Sequence, residues 1–266
     1  MSFDPNFLGL PAPMPTAPGV ATVPLDYPHF ATVHRPDRRL AAVTGVTIDG
    51  ATLHELPRSD DWRLDERLPA DQQAGEDIYS KNDLDRGHLV RRQDPVWGTP
   101  DEAAQAESAT FHYTNAAPQA SKFNQDKETW GGLEDYLLHN AGDNDRKLVV
   151  FTGPVLADDD PEYRGLKIPR LFWKIGAFVD GGKLGTTGYL LDQTPDLHLD
   201  ETPEGEPPPL GPFKTFQVPV ARIAELTHLD LGPLLAADRM PVPAGGPSAL
   251  SERAVRLHSY DDIQGL

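Results

Sequence analysis

The chain has no cysteine, which excludes disulfides and thiolate metal sites and fits a reducing or an oxidising compartment equally well. It has no apolar run near the roughly 20 residues that a membrane-spanning helix requires. Its start, Met1-Ser2-Phe3-Asp4-Pro5, shows no basic segment followed by an apolar one. The expectation is a soluble chain with no membrane partner and no signal peptide, its compartment left open. Positive charge is scarce: 24 Lys and Arg face 41 Asp and Glu, for a net charge of −17. That balance argues against a protein that works by tight electrostatic capture of nucleic acid, because such affinity comes from phosphates neutralised by Lys and Arg. An enzyme that must release its products needs only a few basic groups in one cleft. No internal repeat is present.

What remains is a chain of 266 residues, ample for one core. Residues 1–26 are rich in proline and read as an extended arm over the surface; residues 27–266 read as one domain. His29–Val33 and Leu40–Ile48 have strand character, and Asp49-Gly50 signals a tight hairpin returning through Ala51–Leu56. Residues 57–84 read as a long charged loop. Thr99-Pro100-Asp101-Glu102 is a helix start with a capping box and proline at the first helical position. Phe111–Thr114 reads as a short strand, and Trp130, Leu133, Leu137 and Ala141 place a helix over roughly 124–141. Lys147–Leu156 is an apolar strand, Leu171–Val179 and Lys183–Leu191 form a hairpin around Asp180-Gly181-Gly182, and 192–212 form an exposed loop. Thr215–Val218 is a strand and Val220–Leu229 a helix with Ile223 and Leu226 inward.

Two stretches carry chemistry: Asp85-Arg86-Gly87-His88, and Thr114-Asn115-Ala116-Ala117-Pro118-Gln119 leading to Asn124. Hydrolysing a phosphodiester takes a base for water, a cation for the charge that builds on oxygen, and donors that hold the phosphate in line. These stretches, with Leu133-Glu134, Thr152-Gly153-Pro154 and Ile168-Pro169-Arg170-Leu171-Phe172-Trp173-Lys174 after them in order, resemble the DNA/RNA non-specific endonucleases of the ββα-metal superfamily. The resemblance covers roughly residues 27–240. It implies an α+β fold, with a mixed, mainly antiparallel central sheet flanked by helices and a ββα-metal catalytic motif. It also implies hydrolysis of DNA and RNA with little sequence preference, a Mg2+ cofactor with Mn2+ as a substitute, and an inhibitor protein as a further partner. Oligomeric state is left open. The alternative readings are a catalytically weak nuclease-like module that binds nucleic acid or protein, and a phosphodiesterase acting on small nucleotides.

By that resemblance His88 is the general base, which an ordinary imidazole pKa of about 6.5 would leave largely neutral at neutral pH. Asn124 is the metal ligand; on its own it also reads as a helix N-cap. Arg86 contacts the scissile phosphate, Asn115 is a supporting amide counted with the catalytic set, and Asp85 holds a neighbouring backbone group or Arg86. Gly87 suits unusual torsions or a close approach to substrate. Arg58 is chosen over Arg63 as a second phosphate contact. The chain departs from the family in Leu89-Val90-Arg91-Arg92, where Arg91 and Arg92 face either substrate or local carboxylates such as Asp94. It departs again at Glu134, the carboxylate expected to hold a metal-bound water. A regular helix rising about 1.5 Å per residue would set Glu134 roughly 15 Å from Asn124. Either the first turn is irregular with Glu134 retained, or Glu128 takes the role. Leu138 stands where the family often has an Arg.

Overall fold

The computed structural model describes residues 1–82, 84–120, 146–194, 214–240 and 254–257. The helix expected over 124–141, with Asn124, Glu128, Glu134 and Leu138, lies outside them, as does most of the 192–212 loop. Among the described residues, eight strands form one antiparallel sheet: β1 (Val23–Tyr27), β2 (Phe30–Arg35), β3 (Leu40–Asp49), β6 (Lys147–Pro154), β9 (Leu171–Asp180), β10 (Lys183–Asp192), β11 (Lys214–Val218) and β12 (Val255–Arg256), adjacent in that order. Two small sheets accompany it: β4 (Leu84–His88) with β5 (Ala116–Ala120), and β7 (Glu162–Tyr163) with β8 (Leu166–Lys167). The short helices there are α1 (Glu76–Tyr79), α2 (Pro100–Ala109), α3 (Val220–Thr227) and α4 (Pro233–Ala236). None among the described residues is long and apolar enough to cross a membrane.

Cores lie against both faces of the large sheet, and the strand period of two sends successive residues of a strand to opposite cores. In β6, Leu148 and Val150 join one core while Val149 and Phe151 join the other. In β9, Phe172 and Phe178 face the first core, and Trp173, Ile175 and Ala177 the second. The first core also takes in Ile78 and Tyr79 of α1, Leu84 of β4, and Leu89, Val90 and Tyr113, so it is the floor beneath the β4–β5 hairpin. The second is closed by α3, through Val220 and Ile223, and by the N-terminal segment. Phe3 packs on Phe151 with ring centroids 5.9 Å apart, and Thr16 bridges Asp230, so residues 1–22 are a docked strap that runs into β1.

Two expected elements are corrected. Asp49-Gly50 does not turn a hairpin. Both edges of β3 are already occupied, by β2 and β6, so 51–56 has no edge to pair with. Instead Asp49 Oδ1 accepts from Ala51 N at 3.2 Å and caps a single 3-10 turn over Gly50–Thr52. Phe111–Thr114 is not a strand either: the chain leaving α2 keeps turning, through a 3-10 turn at Tyr113–Asn115, and extends only from Ala116. The other strands and α2 and α3 agree with the expectations to within two residues or so at most ends. The capping box is present, with Thr99 Oγ1 accepting from Glu102 N and Glu102 Oε2 accepting from Thr99 N.

Candidate active site

Asp85-Arg86-Gly87-His88 is the end of β4, paired to β5 with Asp85 opposite Gln119, Arg86 opposite Pro118, Gly87 opposite Ala117 and His88 opposite Ala116. Alternation along the strand puts Arg86 and His88 on one face and turns Gly87 away. Gly87 is not in the left-handed region. A Cβ there would come within 2.1 Å of Gln119 Cδ, so the Gln119 side chain occupies the space that a side chain at 87 would need. Of the two reasons expected for Gly87, unusual torsions are therefore not the one, because its φ is not positive.

The ring of His88 sits in an aromatic setting, its centroid 4.7 Å from that of Trp62 and 5.1 Å from Phe111, which meets it edge-on. Its Nε2 is buried and has no hydrogen-bond partner among the described residues. Burial pushes the imidazole pKa down to about 3; the nearby positive charges of Arg58 and Arg92 reinforce this, and Asp60 opposes it. The result is a neutral ring with an uncommitted nitrogen.

The turn immediately after His88 is fixed by Asn115, which is fully buried. Leu89 N donates to the Asn115 carbonyl at 2.9 Å, and Val90 N donates to Asn115 Oδ1 at 2.9 Å. Asn115 Nδ2 donates in turn to Val90 O and Thr110 O, both at 3.0 Å. With its amide so used, Asn115 positions the turn after His88 and the exit of α2.

Arg86 lies against Tyr79 and Tyr113, its guanidinium carbon 5.6 and 5.9 Å from their ring centroids. Its Nη2 donates to Glu76 Oε2 at 2.5 Å, and Tyr113 Oη donates to the same oxygen at 2.8 Å. Sequence reasoning missed Glu76, at the start of α1, because nothing local links it to Arg86. Arg58 pairs with Asp60 at 3.0 Å and lies 5.4 Å from the Phe111 centroid, on the His88 side of the loop. Arg63 is tied elsewhere, donating to Ser108 O at 2.9 Å and to Ser108 Oγ at 3.1 Å.

Of the two alternatives expected for Arg92, substrate or a local carboxylate, the structure shows a carboxylate, that of Glu107. Arg92 Nη1 donates to Leu56 O at 2.9 Å and lies 3.6 Å from Glu107 Oε1, on a carboxylate only 6% exposed. Glu107 also accepts from Ser59 N at 3.2 Å and Ser59 Oγ at 3.0 Å. Arg92 and Glu107 thus form an interior strut that holds the loop carrying Arg58 and Trp62 beside His88. In the sequence of α2, Glu107 looks like one more solvated acid, so the strut is invisible there.

Among the described residues no group of three or more His, Asp or Glu side chains could hold a metal ion. The chemistry of an amide-held, mostly hydrated Mg2+ asks for no such group, since this ion accepts oxygen donors and keeps several waters.

A strand thus ends in a histidine whose Nε2 has no hydrogen-bond partner among the described residues, beside an arginine, and a buried asparagine from another segment braces the turn after it. The family model described as DNA/RNA non-specific endonuclease matches residues 13–238. The chain belongs to the DNA/RNA non-specific endonuclease family. It is 40% identical over 268 residues to uncharacterized protein y4fB of Sinorhizobium fredii, covering 91% of this chain and 40% of that one. It is 25% identical over 193 residues to human mitochondrial endonuclease G, covering 68% of this chain and 59% of that one. The chain therefore spans less than two thirds of the length of either relative. In fold it is similar to a chain in the crystal structure of the EndoG/EndoGI complex, with a TM-score of 0.59 at 16% identity over 78% of this chain and 84% of that one. The mainly antiparallel α+β architecture expected of a DNA/RNA non-specific endonuclease is the one observed.

Proposed function

We propose that this chain is a metal-dependent endonuclease that hydrolyses phosphodiester bonds of DNA and RNA with little sequence preference. The observation that carries the reading is the buried, unpartnered Nε2 of His88 on the same strand face as Arg86, in a chain of this nuclease family. His88 is the base: already neutral, it accepts a proton from the attacking water without first losing one. Arg86 braces the scissile phosphate, where a planar guanidinium matches two phosphate oxygens. Arg58 and Arg91 supply further contacts to backbone phosphates, which hold the strand without reading its bases. Trp62 and Phe111 keep bulk water from the imidazole. Asn115, through Leu89 and Val90, keeps the end of β4 in place.

Asn124 would hold the metal, with Glu134, or Glu128 in its stead, ordering one of its waters. Bound Mg2+ supplies stabilisation of the charge that develops on the leaving oxygen. The printed title of the structural neighbour describes inhibition of EndoG within the EndoG/EndoGI complex; by analogy, an inhibitor protein is the remaining partner of this reading. The test is digestion of supercoiled plasmid and of a long RNA with Mg2+, with Mn2+ and with chelator. Expected are cutting of both polymers, loss with chelator, and fragments whose 5′-phosphates allow ligation. Failure to cut either polymer with metal present would overturn the proposal.

A further inference from the structure

Arg86 is already engaged in the structure, and the engagement is chemically specific. Glu76 Oε2 receives Nη2 of Arg86 at 2.5 Å and the hydroxyl of Tyr113 at 2.8 Å, so the carboxylate is itself held from behind. The two tyrosine rings beneath the guanidinium confine it further, stacked at 5.8 Å from each other. Arg86 Nε is buried and has no hydrogen-bond partner among the described residues. The Glu76 side chain, by contrast, is 62% exposed. A carboxylate oxygen and a phosphate oxygen make the same demand on a guanidinium: charge-assisted acceptance of an N–H.

We propose that Glu76 is an internal stand-in for the substrate phosphate, an affinity-determining residue that holds Arg86 in place between turnovers and weakens the enzyme's grip on nucleic acid. This rests on the nuclease reading above and adds to it the setting of substrate affinity. With the carboxylate beside Arg86, an arriving phosphate meets an almost neutral pair, and little counterion is released on binding. Without that negative charge it meets a full cation. A chain of net charge −17 is thereby kept from clinging to its own products by a local device as well as by its overall field.

Glu76→Gln tests this, because it keeps an acceptor for Arg86 and Tyr113 and removes only the charge. Binding of a short fluorescein-labelled duplex is measured by anisotropy with Mg2+ over a series of salt concentrations, in a His88→Ala background so that the probe stays intact. The expected result is binding about fivefold tighter at low salt, the equivalent of one exposed ion pair. The slope of log affinity against log salt should steepen by about 0.9, the increment for one more neutralised phosphate on duplex DNA. Both changes should vanish when Arg86→Ala is added. Binding unchanged or weakened by Glu76→Gln, or a gain that survives Arg86→Ala, would overturn the inference. Plasmid cutting by the chain with His88 and Glu76 intact, run in parallel, reports separately on the nuclease reading.

Discussion

The side chain of Asn115 closes a two-bond ring with the backbone of Val90: its Oδ1 accepts from Val90 N at 2.9 Å and its Nδ2 donates to Val90 O at 3.0 Å. This ring joins the exit of α2 to the residues directly after His88, and makes the placement of His88 depend on a buried amide that is engaged within the chain. Asn115→Ala leaves three buried backbone groups short of a partner. It should cost about 2–4 kcal/mol in stability and lower kcat/KM at least roughly tenfold. Asn115→Asp should be no better, because a carboxylate cannot donate to Val90 O and Thr110 O. Denaturant unfolding together with plasmid-cutting kinetics checks both; a variant with full activity and unchanged midpoint would show that the ring is dispensable.

The Glu107–Arg92 strut makes a second prediction. Glu107→Ala removes one partner of a largely buried ion pair and the acceptor for Ser59, at a cost on the order of 3 kcal/mol. It also frees the loop that brings Arg58 and Trp62 to His88. At temperatures where the variant remains folded, kcat/KM should fall roughly tenfold to a hundredfold. Glu107→Gln, which still accepts from Ser59, should recover part of the loss. Equal kinetics for the original chain and Glu107→Ala would show that the strut does not position the site.

Gly87 offers a test by paired substitution. Gly87→Ala drives a methyl group into the side chain of Gln119 and should destabilise by about 1–3 kcal/mol. Gly87→Ala combined with Gln119→Ala should restore most of that stability in thermal melts. If the double variant is no more stable than the single one, the glycine answers to some other constraint.

On the proposed reading, with His88 as the base, the pH dependence of the free enzyme follows from the surroundings of that ring. Its folded-state pKa is depressed to about 3, so the proton-accepting form is present throughout the neutral range and is lost only on strong acidification. The acid limb of kcat/KM should therefore fall well below the ordinary imidazole value of about 6.5. Arg58→Gln removes a repelling positive charge and should move that limb upward. A limb centred on the ordinary imidazole value in the unsubstituted chain would contradict the lowered pKa of His88.

Much of the fold and site is legible in the sequence where local signals carry their own geometry. The capping box at Thr99 and Glu102 is one case, and the β9–β10 hairpin, whose Gly181 and Gly182 take positive φ, is another. The order of the motif residues marks His88, Arg86 and Asn115. What escapes is long-range. Glu76 and Arg86 are ten residues apart, and Ser59 and Glu107 forty-eight, with no periodicity to betray either pair. Asp49-Gly50 has the letters of a hairpin turn, and only the occupation of both edges of β3 rules the hairpin out. For Arg92 the sequence leaves substrate and carboxylate open, because it does not show that a buried acid on α2 lies beside it.

If the neutral imidazole at the end of β4 takes the proton from water, its removal must strike the chemical step and spare binding. The decisive experiment is the initial rate of Mg2+-dependent plasmid cutting by His88→Ala, beside the original chain and with folding verified by its melting curve. The rate should be lower by about 10²–10⁴-fold with little change in substrate binding. A correctly folded His88→Ala that cuts within about tenfold of the original rate would show that His88 is not the base.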